Sequence, residues 1–213
     1  MKTNGIERAP ERGKGTWWST FLKAHWKILA ASDFFSVDVW TPRGLMTHCV
    51  LFVISIADRA VHIAGITTRP DETWMLQVGR NLLDEPDGAL AGKGYLIIDR
   101  DTKYSRRFRE FAEEGGTEVI RLLPPLSPNL NALAERFVRS IKEECLRKMI
   151  LIGRASLRRA ITQYMTHYHE ERNQQGLEHQ RIRPRLLIAA NDGAVRRRAR
   201  LGGMLSHYHR AAA

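Results

Sequence analysis

Tyr95-Leu96-Ile97-Ile98-Asp99-Arg100-Asp101-Thr102-Lys103-Tyr104, residues 95–104, runs from four apolar residues into a charged turn. An apolar run of that length, closed by an acid, reads as a buried strand that ends at a sheet edge. A second stretch, Asn129-Leu130-Asn131-Ala132-Leu133-Ala134-Glu135-Arg136-Phe137-Val138, spaces its apolar residues for a helix and puts Glu135 one turn in. The order of these two stretches, strand then helix, is what the rest of the chain has to accommodate.

Working outward, residues 33–40 alternate Phe35, Val37 and Val39 with Ser36, Asp38 and Trp40. Pro42-Arg43-Gly44 reads as a turn. Residues 48–57 form a near-continuous apolar run, as expected of a central strand. Residues 60–67 make a third strand, and the three form a meander. Residues 71–83 carry Trp74, Val78 and Leu82 at helical spacing behind Pro70 and two acids, which suit a helix N-terminus. Residues 92–99 are a fourth strand, 108–114 a short helix ended by Gly115-Gly116, and 118–122 a fifth strand. A long helix is expected from Asn129 to about Met149, with Leu130, Ala134, Val138, Ile141 and Cys145 on one face. Another is expected over residues 156–168, and a short amphipathic one over 17–30. Three strands, helix, strand, helix, strand, then helices predict an α/β fold: a mixed five-stranded sheet flanked by helices. The expected organisation is a disordered lead over 1–16, a core over 17–175 and a basic extension over 176–213.

The chain has 213 residues and a hydrophobic content of 43%, ordinary for a globular protein with a real core. No apolar run approaches the ~18 residues that span a bilayer, and the start lacks a signal-peptide core. Cys49 and Cys145 lie in apolar stretches and read as small buried thiols, so a cytoplasmic setting is the default. The histidines have no partner Cys pattern, which argues against zinc. The net charge of +11 is uneven. Lys+Arg and Asp+Glu cancel through residue 135, and the whole excess follows. A basic half joined to a neutral one points to a polyanion, with nucleic acid ahead of a merely solvated surface.

Asp33 near the start of the first strand, Asp99 at the end of the fourth and Glu135 on the helix form the candidate constellation. A first and a fourth strand of a mixed sheet can be neighbours, so their acids can meet at one edge. A helix crossing that edge adds the third carboxylate. Such a trio suits hard cations, Mg²⁺ or Mn²⁺, through oxygen. Two ions bridged by a shared Asp activate a hydroxyl and stabilise the leaving oxygen of a phosphodiester. The gap between Asp99 and Glu135 carries no weight, since chance supplies roughly 0.6 such pairs in a chain of this composition. Context carries it. Asn131, Glu135, Arg139 and Lys142 share one helical stripe, roughly opposite Val138, Ile141 and Cys145, and two of them are cations suited to phosphates. The plainer alternative is a solvated face with Glu135 and Arg139 as an ordinary ion pair.

Four segments resemble the integrase-core transposases, the DDE insertion-sequence enzymes related to retroviral integrases. They are Ala31-Ser32-Asp33-Phe34-Phe35-Ser36-Val37, Ile98-Asp99-Arg100-Asp101-Thr102-Lys103-Tyr104, the helix from Ser127 to Lys142, and Tyr168-His169-Glu170-Glu171-Arg172-Asn173-Gln174-Gln175-Gly176-Leu177. The resemblance implies a ribonuclease H-like fold, with Asp33, Asp99 and Glu135 as catalytic residues and metal ligands for two Mg²⁺ (or Mn²⁺) ions. It implies cleavage at transposon ends and 3′-hydroxyl attack on target DNA. It places Asn131, Arg139, Lys142 and Arg172 as DNA contacts and residues 122–126 as a mobile active-site loop. Two positions depart from the family pattern. Asp101 stands where a glycine is common, leaving a spare acid beside Asp99, and Gln174 stands where a histidine is common.

The expected partners are DNA, both transposon ends and target, and further copies of the chain on that DNA, with no membrane. The alternatives are a catalytically inactive DNA-binding remnant and a ribonuclease H-like nuclease without strand transfer. No helix-turn-helix pattern precedes residue 17, so the chain is expected to be one part of a longer or split transposase.

Overall fold

The structure, a computed structural model, describes residues 20–84, 88–121, 128–174, 180–183 and 194–210, with the side chains of 128–131 excepted. The expected lead over 1–16 and the expected loop over 122–126 lie outside the described residues. Five strands form one mixed sheet in the order β3-β2-β1-β4-β5. They are β1 (Leu29–Thr41), β2 (Gly44–Ser55), β3 (Val61–Thr67), β4 (Tyr95–Ile98) and β5 (Glu118–Arg121). β1 pairs antiparallel with β2, and β2 with β3; β1, β4 and β5 run parallel. This is the mixed ribonuclease H-like arrangement.

The first strand begins four residues before Asp33, and the helix expected over 17–30 is correspondingly shorter. Helix α1 is described over residues 20–25, and Trp26–Ile28 make a single 3₁₀ turn. Leu29 and Ala30 are fully buried and already paired, Leu29 with Tyr95 and Ala30 with Ser55. Two apolar residues with strand partners on both sides cannot continue a surface helix. The β1–β2 hairpin is also longer than expected, because Gly44, at φ +99°, lets the chain reverse immediately after Pro42-Arg43.

Alternation along the central strands splits the core in two. On one face, Leu51, Val53, Leu96 and Ile98 pack against Met75, Val78 and Leu82 of α2 (Glu72–Leu83) and Phe108 of α3 (Arg106–Glu114). Asp71 and Ser105 start these helices by accepting from the Trp74 and Phe108 amides. On the other face, Ala31, Phe35, Val50, Phe52 and Ile54 pack against α4 (Pro128–Glu144) and α5 (Gly153–Thr166). Asp33 shares this second face, two residues from both Ala31 and Phe35.

Phe137 anchors α4. Its ring lies 4.9 Å from that of Phe52 and 5.3 Å from that of Tyr168. The buried stripe is Ala134, Phe137, Ile141 and Cys145, while Val138 is only half-buried. Of the polar residues, Glu135 and Lys142 flank this stripe, and Arg139 lies further round, toward the side opposite it. The helix also ends earlier than Met149. Cys145 leaves helical geometry and a 3₁₀ turn, Leu146–Lys148, redirects the chain. That redirection lets the Leu151 carbonyl accept from the Trp40 amide at 2.8 Å. Cys145 is buried, Cys49 half-buried, and both are free thiols.

A π-turn, His167–Glu171, follows α5. Within the basic extension, to which no secondary structure was assigned from sequence, residues 195–210 form a hairpin of β6 (Val195–Arg200) and β7 (Leu205–Arg210). Gly202 and Gly203, both at positive φ, sit in its turn. Arg200 binds the Glu171 carboxylate at 2.6 Å, and Arg198 approaches it at 3.7 Å. Leu205 joins the core. A run of arginines hides the two-residue period that marks a strand, which is why the sequence pattern failed here. Among the described residues, no helix is long and apolar enough to cross a membrane.

Candidate active site

β1 and β4 are parallel neighbours, as expected of the first and fourth strands, and the last pair of their ladder is Ser32↔Ile98. Asp33 and Asp99 are the next residue on each chain. They thus stand side by side where β4 ends and β1 runs on. Asp33 accepts from the Phe34 amide at 2.7 Å, and Asp99 accepts from the Asp101 amide at 2.9 Å. Tyr104 pins the turn that carries Asp99. Its hydroxyl is 2.9 Å from Ser32 Oγ, which donates to the Phe52 carbonyl. Both residues are buried, so the turn is tied to the sheet at the residue preceding Asp33.

Glu135 arrives from α4 and lines one pocket with Asp33 and Phe34. Arg139, Lys142 and Arg147 line the same pocket, so cations rim the acids. Burial pushes the Asp33 carboxyl up to about 6, and the negative charges of Asp99, Glu135 and Asp101 add to the rise. The nearby acids thus disfavour the charged form of Asp33, an effect that a bound cation would offset. All the donors are hard carboxylate oxygens, which suit Mg²⁺ or Mn²⁺. As they stand, no three His, Cys, Asp or Glu side chains among the described residues are close enough to hold a metal ion.

Asp101 is distinguished from Asp99 by its partners. It accepts from the Lys103 amide at 2.9 Å and pairs with Lys103 Nζ at 2.6 Å. Despite the opposing effect of burial, these bonds and the lysine charge hold its carboxyl below the usual range. Lys103 Nζ also lies 5.1 Å from the centre of the Phe34 ring. Asp38, five residues beyond Asp33 on the opposite face, is exposed and accepts from Thr47 across the hairpin.

The other sequence candidates divide. Arg139 and Lys142 lie at the acidic pocket, and the side chain of Asn131 lies outside the described residues. Arg172 lines a second pocket, on the other flank of α4, with Arg59, Arg136 and Gln174. There it pairs with Glu144 at 2.9 Å and approaches the Tyr164 hydroxyl at 3.3 Å. Sequence reasoning missed Arg147, Lys103 and Tyr104. Helical spacing loses Arg147 because it lies past the end of α4. Tyr104 was visible only as part of the acidic segment, without the buried Ser32 bond that gives it a role.

Residues 118–181 match the integrase core domain family. The chain carries an integrase-core fold. The HTLV-2 integrase catalytic core domain, in a trimeric form in complex with magnesium, superposes with a TM-score of 0.53. The match has 12% identity and covers 73% of this chain and 93% of that one. The catalytic core domain of BIV integrase gives a TM-score of 0.51 at 12% identity, covering 70% of this chain and 88% of that one. A simian T-cell lymphotropic virus intasome structure, in complex with a PP2A regulatory subunit, gives 0.52 at 12% identity, over 85% of this chain and 66% of that one. No curated protein matches the chain. The integrase-core match spans β5, α4 and α5, so it contains Glu135. Asp33 and Asp99 precede it and join the site through the sheet. Fold and family match together support a catalytic domain of the transposase or integrase type.

Proposed function

We propose that this integrase core performs metal-dependent DNA end cleavage and strand transfer, with Asp33, Asp99 and Glu135 as its metal ligands. The observation that carries this reading is the placement of the acids: Asp33 and Asp99 follow the last pair of the β1–β4 ladder, Asp33 shares a pocket with Glu135 that cations rim, and Asp33 is lifted to about 6 by burial, with the neighbouring carboxylates adding to the rise. A bound divalent cation supplies Lewis acidity at the phosphorus and lowers the pKa of an attacking hydroxyl. The chain's own residues do the rest. Asp33 and Asp99 are mounted on adjacent strands and oriented by backbone amides. Glu135 approaches from α4. Arg139, Lys142 and Arg147 offer positive charge to phosphates of a strand lying across the pocket. Lys103 occupies Asp101 and leaves Asp99 as the acid of that turn.

The substrates on this reading are transposon ends and target DNA. The assembly is a multimer on that DNA, in keeping with the trimeric and intasome forms of the integrases it resembles. The test is an end-cleavage and joining assay in Mg²⁺ or Mn²⁺ on candidate terminal repeats, wild type against Asp99→Asn. Cleaved and joined products from wild type alone support the proposal, and equal yields from the two sink it. Cleavage without joined product identifies a nuclease that does not transfer strands.

A further inference from the structure

The second pocket on α4 has a chemistry of its own. Arg136 and Ser140 reach it from the flank of the helix away from Glu135, Arg59 from the turn between β2 and β3, and Tyr168, Arg172 and Gln174 from the π-turn and the residues after it. Three guanidinium groups converge there. Among the described residues Arg172 pairs with a carboxylate, Glu144 at 2.9 Å, and neither Arg59 nor Arg136 has an ion pair. Guanidinium groups without counter-charge repel one another, and such a cluster persists where an anion completes it.

Two further observations point the same way. Arg59 Nε and Gln174 Nε2 are buried donors that lack a hydrogen-bond partner among the described residues, and both residues line this pocket. Buried donors are nearly always satisfied in a folded protein, so two in one pocket mark a missing acceptor. Arg59 also adopts φ +61°, a left-handed backbone that glycine takes without penalty. Its amide donates to the Ser55 carbonyl at 3.0 Å, which fixes the turn. The chain keeps a strained arginine at a position that glycine would relax, which ties the strain to what the side chain does. Burial and the charge of Arg136 both push the Arg59 guanidinium below its ordinary range, as expected of a cation held without its partner.

We propose that Arg59, Arg136, Arg172 and Gln174 form an oxyanion site for a phosphate group, separate from the acidic pocket by the width of α4. The group is a backbone phosphate of DNA or a free phosphate. Arg59 and the Gln174 amide hold its inner oxygens, while exposed Arg136 closes it from solvent.

The experiment uses the full chain with inorganic phosphate and, separately, a fluorescently labelled duplex. Inorganic phosphate at matched ionic strength should raise the melting temperature of wild type and of Asp33→Asn. It should leave the Arg59→Gln/Arg136→Gln double variant unmoved. Arg136→Gln alone changes an exposed residue, so it keeps the fold and should lose most of the response. The slope of log affinity against log salt for the duplex should fall by about one in the double variant if the phosphate belongs to DNA. An unchanged slope with the phosphate response lost assigns the site to a free oxyanion. An equal phosphate response in wild type and double variant, or none in wild type, overturns the site. The duplex arm rests on the DNA reading proposed above and the phosphate arm does not. If Asp33→Asn is as active as wild type while the phosphate response still depends on Arg59 and Arg136, the catalytic reading falls and the oxyanion site stands.

Discussion

On one flank of α4, Glu135 shares a pocket with Asp33, and Arg139 and Lys142 stand at its rim. On the other, Arg136 and Ser140 share a pocket with Arg59, Arg172 and Gln174. One flank gathers acids and calls for a cation; the other gathers cations and calls for an anion. A single helix serves both because its buried stripe is narrow, leaving a polar row on each side. The contrast teaches that the basic excess of this chain is not one surface. Part of it surrounds the acids, and part forms a pocket with no carboxylate among the described residues of its lining.

Phe137 lies between the two flanks, so its loss should damage both. Phe137→Ala removes a ring packed on Phe52 and Tyr168 and should cost about 3–5 kcal/mol in urea unfolding. A cost below 1 kcal/mol would show that α4 is held by something other than this stripe. Asp33→Asn or Glu135→Gln should break one flank only. Either should lower strand transfer by about 10³-fold, the several kcal/mol that metal-assisted charge stabilisation supplies. Duplex salt dependence in these variants should hold near the wild-type slope.

Acid should act on the arginine flank through the π-turn beside it. His169 Nε2 accepts from the Val61 amide at 3.1 Å, and burial, with the charge of Arg183, pushes the ring down to about 4. A folded value below the ordinary 6.5 means the unfolded chain takes the proton first. The contribution is therefore complete above pH 6.5 and drains as the pH falls toward 4, up to ~3 kcal/mol in all. Burial pushes Glu171 up, but bonds and charge from Arg200 and His167 outweigh it and hold the carboxyl at about 2. Its contribution is present above 4.5 and is lost as the pH falls through that value toward 2. Urea midpoints that stay flat from pH 6.5 to 4 would contradict the His169 assignment.

Smaller effects sharpen the contrast. Arg139→Gln and Lys142→Gln should each reduce the duplex salt slope by about one if their cations meet phosphates, read by fluorescence anisotropy. Asp101→Asn should matter least. It breaks a partly exposed pair with Lys103, for at most about 1 kcal/mol, and should keep strand transfer within a few-fold of wild type. A loss as deep as that of Asp99→Asn would exchange the roles of the two acids.

Most of the sheet was legible because its strands are long or uniformly apolar. Val50 to Ile54 can be little else than a central strand, and Pro70 with Asp71 and Glu72 announces α2, while α3 starts two residues before its expected 108 because Ser105 caps it. The segments around Asp33, Asp99 and Glu135 were legible by resemblance, and the register Ser32↔Ile98 supplies the neighbourhood that residue spacing could not. The arginine pocket was not legible. Arg59, Arg136 and Arg172 lie on three separate elements, and nothing local to any of them signals the others. Their meeting depends on how Phe137 orients α4 and on where the π-turn delivers Tyr168, both products of tertiary packing. The β6–β7 hairpin was missed for a different reason: four arginines in six residues erase the contrast on which strand periodicity rests.

Parallel pairing of β1 with β4 has a consequence for the order of events during synthesis. Asp33 leaves the ribosome well before Asp99, and Glu135 follows later still. β4 cannot pair until the hairpin and α2 have been made and the crossover has closed, a slow, non-local step. Until α4 then covers Phe35 and Phe52, the part of the sheet face beside Asp33 lacks the Phe137 ring that buries it. A nascent chain thus holds its acids apart through most of translation, and Glu135 joins Asp33 only when α4 is laid on the sheet.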